Sequence, residues 1–239
     1  MALVLLDRDE AALREVAREV DGAAAHVGDV GDEATLARIR DEVLATGADI
    51  RIVVCNAGVS VAGEVERLPT EAIRRALDGN FWGVVHTSRA FLPALRESAT
   101  RHGRASLAVV LSDFALFSLP TKAAYAASKH AARAYTEALG AELHGSGVAV
   151  TAAYPGATAT GIVRSGYAVD GAKQRVEAEF LSKGMPPEAV AARIAKGIDR
   201  GRARVLIGRD TRAIDLATRM APGLVQFAVR RLWRRVPFL

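Results

Sequence analysis

A single cysteine, Cys55, stands in the 239 residues, so no intramolecular disulfide can form. It lies within an apolar run and reads as a packing residue, which suits a reducing cytosol. No stretch of eighteen or more apolar residues occurs, so no bilayer-spanning helix is expected. The five histidines, at 26, 86, 102, 130 and 144, stand at no metal-ligand spacing with Cys, Asp or Glu, and no metal site is expected. Internal repeats and low-complexity linkers are also missing. The only G-x-G, Gly145-Ser146-Gly147, precedes an apolar run instead of following one, so it reads as a loop and not a phosphate cradle. The N-terminus leads directly into a short strand and a charged helix, without the pattern of a secretory leader, and a cytoplasmic protein is expected.

Half of the residues are hydrophobic, which at this length suffices for one sizeable core. Apolar runs alternate with helix-period segments from end to end. That pattern predicts an α/β fold, a doubly wound parallel sheet with helices on both faces, in a single domain. Strands are expected at Leu3–Asp7, Ala23–Val27, Arg51–Cys55, Leu107–Leu111, Val148–Ala153 and Val205–Ile207. Helices are expected at Arg8–Val20, Asp32–Thr46 (capped by Asp32, stopped at Gly47), Ala123–Leu143 and Pro186–Gly201. Pro69–Leu95 reads as one long helix or two in series, with Thr70 as its cap.

The residues that carry chemistry are Tyr125, Lys129 and Ser112. Tyr125 and Lys129 are four apart, so on a helix they share a face. A free phenol, with a pKa of roughly 10, is a poor base at neutral pH. A nearby ammonium favours the phenolate, and the expectation is a lowered tyrosine pKa and a proton relay to an alcohol or carbonyl. Ser112, thirteen residues earlier at the end of an apolar run, could hydrogen-bond the substrate oxygen. Taken alone, a Y-x-x-x-K pair on an Ala-rich helix reads more readily as a surface pair. The surroundings change that.

With these three residues the chain resembles the short-chain dehydrogenase/reductase family. Asn56-Ala57-Gly58 closes an apolar run like the family's N-A-G, and Asn80 matches its helix asparagine. Pro155-Gly156 follows a strand, with Thr158 and Thr160 where the nicotinamide amide would lie. Asp29-Val30 resembles the pair that flanks the adenine. The resemblance covers nearly the whole chain. It implies hydride transfer between NAD(P) and a carbinol carbon, with Tyr125 as acid and base, Lys129 holding the nicotinamide ribose, Ser112 positioning the oxygen and Asn80 holding a water. It also implies a homodimer or homotetramer, formed through the helices bearing Asn80 and Tyr125, and a mobile lid in Gly161–Met185. Asp7 would accept the adenosine ribose hydroxyls and favour NAD, whereas Arg8 could pair with the extra phosphate of NADP. Phe114 and Phe117 make the segment before Tyr125 apolar, so a hydrophobic alcohol or ketone is expected. Asp113 would meet a polar substrate group or point to solvent.

One departure is serious. The family begins with a strand and a Gly-rich turn, a unit of roughly 25–30 residues on the scale of a βαβ element. Here Leu3–Asp7 reads as the second strand. Either the working protein starts upstream of Met1, or this is a truncated, non-catalytic relative serving as an oligomeric scaffold or interaction protein. Weak or no nicotinamide binding is expected of the chain as given, because the helix N-terminus for the pyrophosphate is missing.

The charge is uneven. Arg209–Leu239 holds seven arginines against two aspartates, which equals the whole net charge of +5. The chain thus divides into a main domain, 1–208, and a basic amphipathic helical tail, 209–239. Such a tail can lie on an anionic membrane surface or pack on a partner subunit. Nucleic acid is not expected as a partner, since no recognition motif accompanies the charge.

Overall fold

A computed structural model describes residues 2–239. Met1, on which the expectation of an upstream start turns, lies outside them. The chain runs through β1 (Val4–Asp7), α1 (Glu10–Glu19), β2 (Ala24–Val27), α2 (Glu33–Ala45), β3 (Ile52–Cys55) and the two-residue β4 (Val61–Ala62). It continues with α3 (Thr70–Leu77), one π turn (Asp78–Trp82), α4 (Gly83–His102), β5 (Ala105–Val110), a 3-10 turn (Asp113–Ala115), α5 (Ala123–Glu142) and β6 (Val148–Pro155). It ends with β7 (Tyr167–Ala168), α6 (Gly171–Ser182), α7 (Pro187–Asp199), β8 (Arg204–Ile207), α8 (Arg209–Met220), α9 (Pro222–Leu232) and a 3-10 turn (Trp233–Arg235).

Strands β3, β5, β6 and β8 form one parallel sheet in the order 3-5-6-8, while β1 and β2 form a separate parallel pair. Alternation along β5 sends Leu107 and Val109 to the face covered by α4 and α5, and Ala108 to the face covered by α7. The first face is sealed by Leu95, Ala132, Leu139, Leu143 and Tyr154; the second by Val190, Ile194, Ile198 and Ile207. Helices on both faces make the arrangement Rossmann-like.

The parallel sheet is interrupted between β1 and β3, which pair with no common strand among the described residues. Strand β3 is therefore not the fully buried strand its apolar run suggests. Val53 and Cys55 enter the core, but Ile52 and Val54 stay exposed on the other face, where α7 packs chiefly on β8, β6 and β5.

Local chemistry explains most boundaries. Asp32 caps α2 by accepting from the Ala34 N–H, and Gly47 follows at φ +77. Helix α1 starts two residues later than expected because Asp9 takes the cap, accepting from the Ala12 N–H. Thr70 is not a cap. Pro69 supplies the extended conformation before α3 and draws Thr70 into the first turn, with no side-chain cap bond. The expected lid contains an ordered helix, α6, capped by Asp170.

Candidate active site

The site gathers at the carboxyl ends of parallel strands, where this class of sheet places its ligands. Beyond β5 the chain reaches Ser112, whose extended backbone caps the following 3-10 turn and whose hydroxyl accepts from the Phe114 N–H at 3.2 Å. That hydroxyl donates to Asp113 Oδ1 at 2.8 Å. The same carboxylate oxygen accepts from the Phe114 N–H at 2.8 Å.

Tyr125 lies in the first turn of α5 and Lys129 one turn on, so helix geometry puts them together. Lys129 Nζ stands 6.0 Å from the centre of the Tyr125 ring. It donates to the Val110 carbonyl at 3.1 Å, its one hydrogen-bond partner among the described residues. Burial lowers the Lys129 ammonium to about 8.

The tyrosine departs from expectation. Burial pushes the Tyr125 phenol up to about 12; the adjacent Ser112 hydroxyl pulls it down, while the charges of Asp113 and Glu177 push it further up. Desolvation of the phenolate is the largest cause, and the one group that lowers the value is Ser112, not the Lys129 ammonium. Asp113 is likewise pushed up to about 6, chiefly by burial, with Asp210 adding like-charge repulsion and the bonds from Ser112 and Phe114 opposing.

Asn80 is fully buried on the π turn between α3 and α4. Such single π turns recur at functional sites. Its Oδ1 accepts from the Val59 N–H at 2.8 Å, and its Nδ2 donates to the Val59 carbonyl and to Ser128 Oγ, both at 2.9 Å. Ser128 in turn donates to the Tyr125 carbonyl at 2.7 Å. One asparagine thereby ties the loop after β3 to the helix turn that bears the tyrosine.

The candidate cofactor residues line the same edge. Asn56 and Ala57 are exposed after β3. A Cβ on Gly58 would stand 2.7 Å from Asn80 Oδ1 and 3.4 Å from Lys129 Nζ, so only glycine leaves this approach open. Val30 presses on Gly83, where a Cβ would lie 2.6 Å from it. Asp29 Oδ1 accepts from the Gly31 N–H at 2.8 Å. Asp7 Oδ1 accepts from the Asp9 N–H at 2.9 Å, and Arg8 faces Asp29 at 3.8 Å, each about half exposed. After β6, Pro155 leads to Gly156, whose missing side chain admits Asp210 and Thr211 of α8. Thr158 donates to the Gly156 carbonyl at 2.9 Å. Thr160 is exposed and is tied to Thr158 only through its backbone, N to O 2.8 Å.

On the substrate side, the Phe114 and Phe117 rings stack at 5.2 Å, and Phe114 meets the Tyr125 ring edge-on at 5.7 Å. Leu116 belongs to the core.

The short chain dehydrogenase family model matches residues 1–168, well over half of the sequence. The chain belongs to the short-chain dehydrogenase family. SadH, a candidate oxidoreductase of Mycobacterium tuberculosis, is 33% identical over 229 residues, spanning 91% of this chain and 81% of that protein. Dehydrogenase/reductase SDR family member 7B of Bos taurus is 28% identical, spanning 93% and 70%. Among solved structures, a short-chain dehydrogenase/reductase from Burkholderia phymatum in complex with NAD superposes with a TM-score of 0.83 at 24% identity, covering 95% of this chain and 86% of that one.

In this short-chain dehydrogenase several residues around the site escaped the sequence reading. Ser128, the one hydroxyl between Tyr125 and Lys129, is visible in the sequence on the same helix, and only its role was missed. Glu177 and Lys122 could not have been noticed: they form a buried ion pair across 55 positions, joining the start of α5 to α6. Asp210, in the first turn of α8, reaches the site from what reads as tail.

Proposed function

We propose that this short-chain dehydrogenase is an NAD(P)-dependent oxidoreductase acting on a hydrophobic secondary alcohol or ketone, with Tyr125 as the acid and base. The observation that carries the reading is the convergence of the Tyr125 phenol, the Ser112 hydroxyl and the buried Lys129 ammonium beneath an apolar wall of Phe114 and Phe117.

The residues fit the nicotinamide-ribose end of the cofactor. Lys129 is a buried cation with donors left over after Val110, beside a glycine that keeps the approach clear. No Gly-rich turn for the pyrophosphate stands among the described residues, so affinity rests on Lys129, the 56–58 loop and Asp7. The carboxylate of Asp7 favours NAD, because it would repel a 2′-phosphate. Arg8 already faces Asp29, which weakens its appeal to NADP.

When bound, the nicotinamide supplies the hydride. This chain's own residues handle the proton and the orientation. Tyr125, held neutral by burial, is set to give its proton to a carbonyl oxygen. Ser112 would hold that oxygen by turning its one O–H toward it from Asp113 Oδ1, which otherwise accepts it. Lys129 places positive charge beside the developing alkoxide. Asn80, through Ser128, keeps the tyrosine's helix turn in register.

A second reading, a non-catalytic oligomeric interaction protein, draws on the interrupted sheet with its open edges at β1 and β3. The two are separated by calorimetry with NAD and NADP, together with turnover of hydrophobic secondary alcohols and ketones at high cofactor. Weak cofactor binding with turnover that vanishes in Tyr125→Phe supports the enzyme. Turnover unchanged in that variant removes the tyrosine from the mechanism, and no turnover at saturating cofactor favours the interaction protein. Assembly as a homodimer or homotetramer belongs to the first reading as well as the second, and sedimentation measures it.

A further inference from the structure

Helices α8 and α9 follow one another across the single residue Ala221, and no residue of α9 is buried. Their outer faces carry Leu216, Met220, Leu224, Phe227 and Leu232, with Met220 77% and Leu224 67% exposed. Large apolar side chains exposed so close together mark an interaction surface. The charge around them has one sign. Residues 216–239 contain five arginines (219, 230, 231, 234, 235) and no acidic residue. Just before them, Asp215 is buried and already engaged by Arg204 at 2.7 Å and Arg219 at 3.6 Å. The Arg231 guanidinium lies over the Phe227 ring at 5.5 Å, and that of Arg234 over Trp233 at 5.6 Å.

We propose that the α8–α9 segment is a docking surface for an anionic phospholipid bilayer, lying in the interface with Leu224 and Phe227 at the acyl boundary and the arginines among the headgroup phosphates. Arginines laid along aromatic faces keep the charged end at the level of the headgroups while the ring enters apolar surroundings. No helix among the described residues is long and apolar enough to cross a membrane, so the contact is peripheral. Beyond these helices the chain returns to the domain: Phe238 packs on Phe180 of α6 at 5.2 Å, and Lys173 donates to the Leu239 carbonyl at 2.8 Å. The docked surface is thus continuous with the helix bordering the groove of Thr121 and Glu177.

The test is flotation of the full chain with vesicles of phosphatidylcholine alone and of phosphatidylcholine mixed with phosphatidylglycerol. The wild type should bind the mixed vesicles, far less the neutral ones, and bind less as salt rises. Arg230→Gln/Arg231→Gln/Arg234→Gln/Arg235→Gln should lose about fivefold in affinity per arginine removed. Leu224→Ser/Phe227→Ser should also lose binding, with circular dichroism unchanged because both residues are exposed. Equal affinity for the two vesicle types, or no binding to either, overturns the proposal. So does retained vesicle binding in Leu224→Ser/Phe227→Ser alongside conversion of a dimer to a monomer in sedimentation, which would assign the face to a second copy.

Discussion

Replacing Lys122 with methionine tests whether the site is tied to α6 by a buried charge pair. Lys122 is 1% exposed and the Glu177 side chain 9%. Lys122 sits immediately before α5, three residues from Tyr125, and Glu177 on α6, so their bond fastens the helix over the groove to the helix bearing the phenol. Burial lowers the Lys122 ammonium, and the charge of Glu177 opposes that shift. Lys122→Met leaves a carboxylate buried without its partner, and breaking one side of such a pair costs about 3–5 kcal/mol. At about 2–4 °C per kcal/mol for a chain of this size, the melting temperature should fall by roughly 6–20 °C. Glu177→Leu should cost a similar amount. The double variant, Lys122→Met/Glu177→Leu, should return to within about 1 kcal/mol of the wild type or exceed it, since apolar replacements of both partners are often neutral or stabilising. Urea unfolding of the four proteins closes the cycle. If both single variants lie within about 1 kcal/mol of the wild type, the pair is solvated. If the double variant is as unstable as the two singles summed, the residues are not coupled. Either result refutes the tie.

Other consequences are as direct. Tyr125→Phe should lower kcat by about 10²–10⁴-fold in a turnover assay while leaving the urea midpoint in place, the range that positioned proton transfer supplies. Asp113 is raised from 3.8 to about 6. Between those values the folded state holds a proton that the unfolded state has lost, so its contribution to stability is full below pH ~4 and falls as pH rises to about 6. Asp113→Asn should therefore gain on the wild type across that window, by at most about 3 kcal/mol for a shift of about two units, and by less for partial exposure; a difference flat with pH would contradict this. Gly58→Ala should displace Asn80 or Lys129, costing about 1–3 kcal/mol in urea unfolding and weakening nicotinamide binding in calorimetry. Ser128→Ala should loosen the Asn80 link to Tyr125 and lower kcat more than it raises KM.

What could be read from residue order is whatever short-range geometry controls. The alternation of apolar runs with helical periods specified the strands and helices around the main sheet, but not α6 or the two-residue strands β4 and β7, whose segments carry no clear period. A four-residue spacing on a helix placed Lys129 beside Tyr125 whatever the rest of the chain did, and the end of an apolar strand delivered Ser112 to the sheet's carboxyl edge. The basic tail was visible in composition, although α8 was not separated from α9, nor its first turn recognised as a wall of the site. Other features exist only in the folded chain. The Lys122–Glu177 bond, the Asn80–Ser128–Tyr125 connection and the approach of Asp210 to Gly156 join segments far apart in sequence, which only packing can bring together. The protonation of Tyr125 belongs here too. Spacing places a cation nearby and suggests a lowered pKa, but burial and two neighbouring carboxylates raise it to about 12, because desolvation depends on everything that surrounds the phenol and not on one residue a turn away.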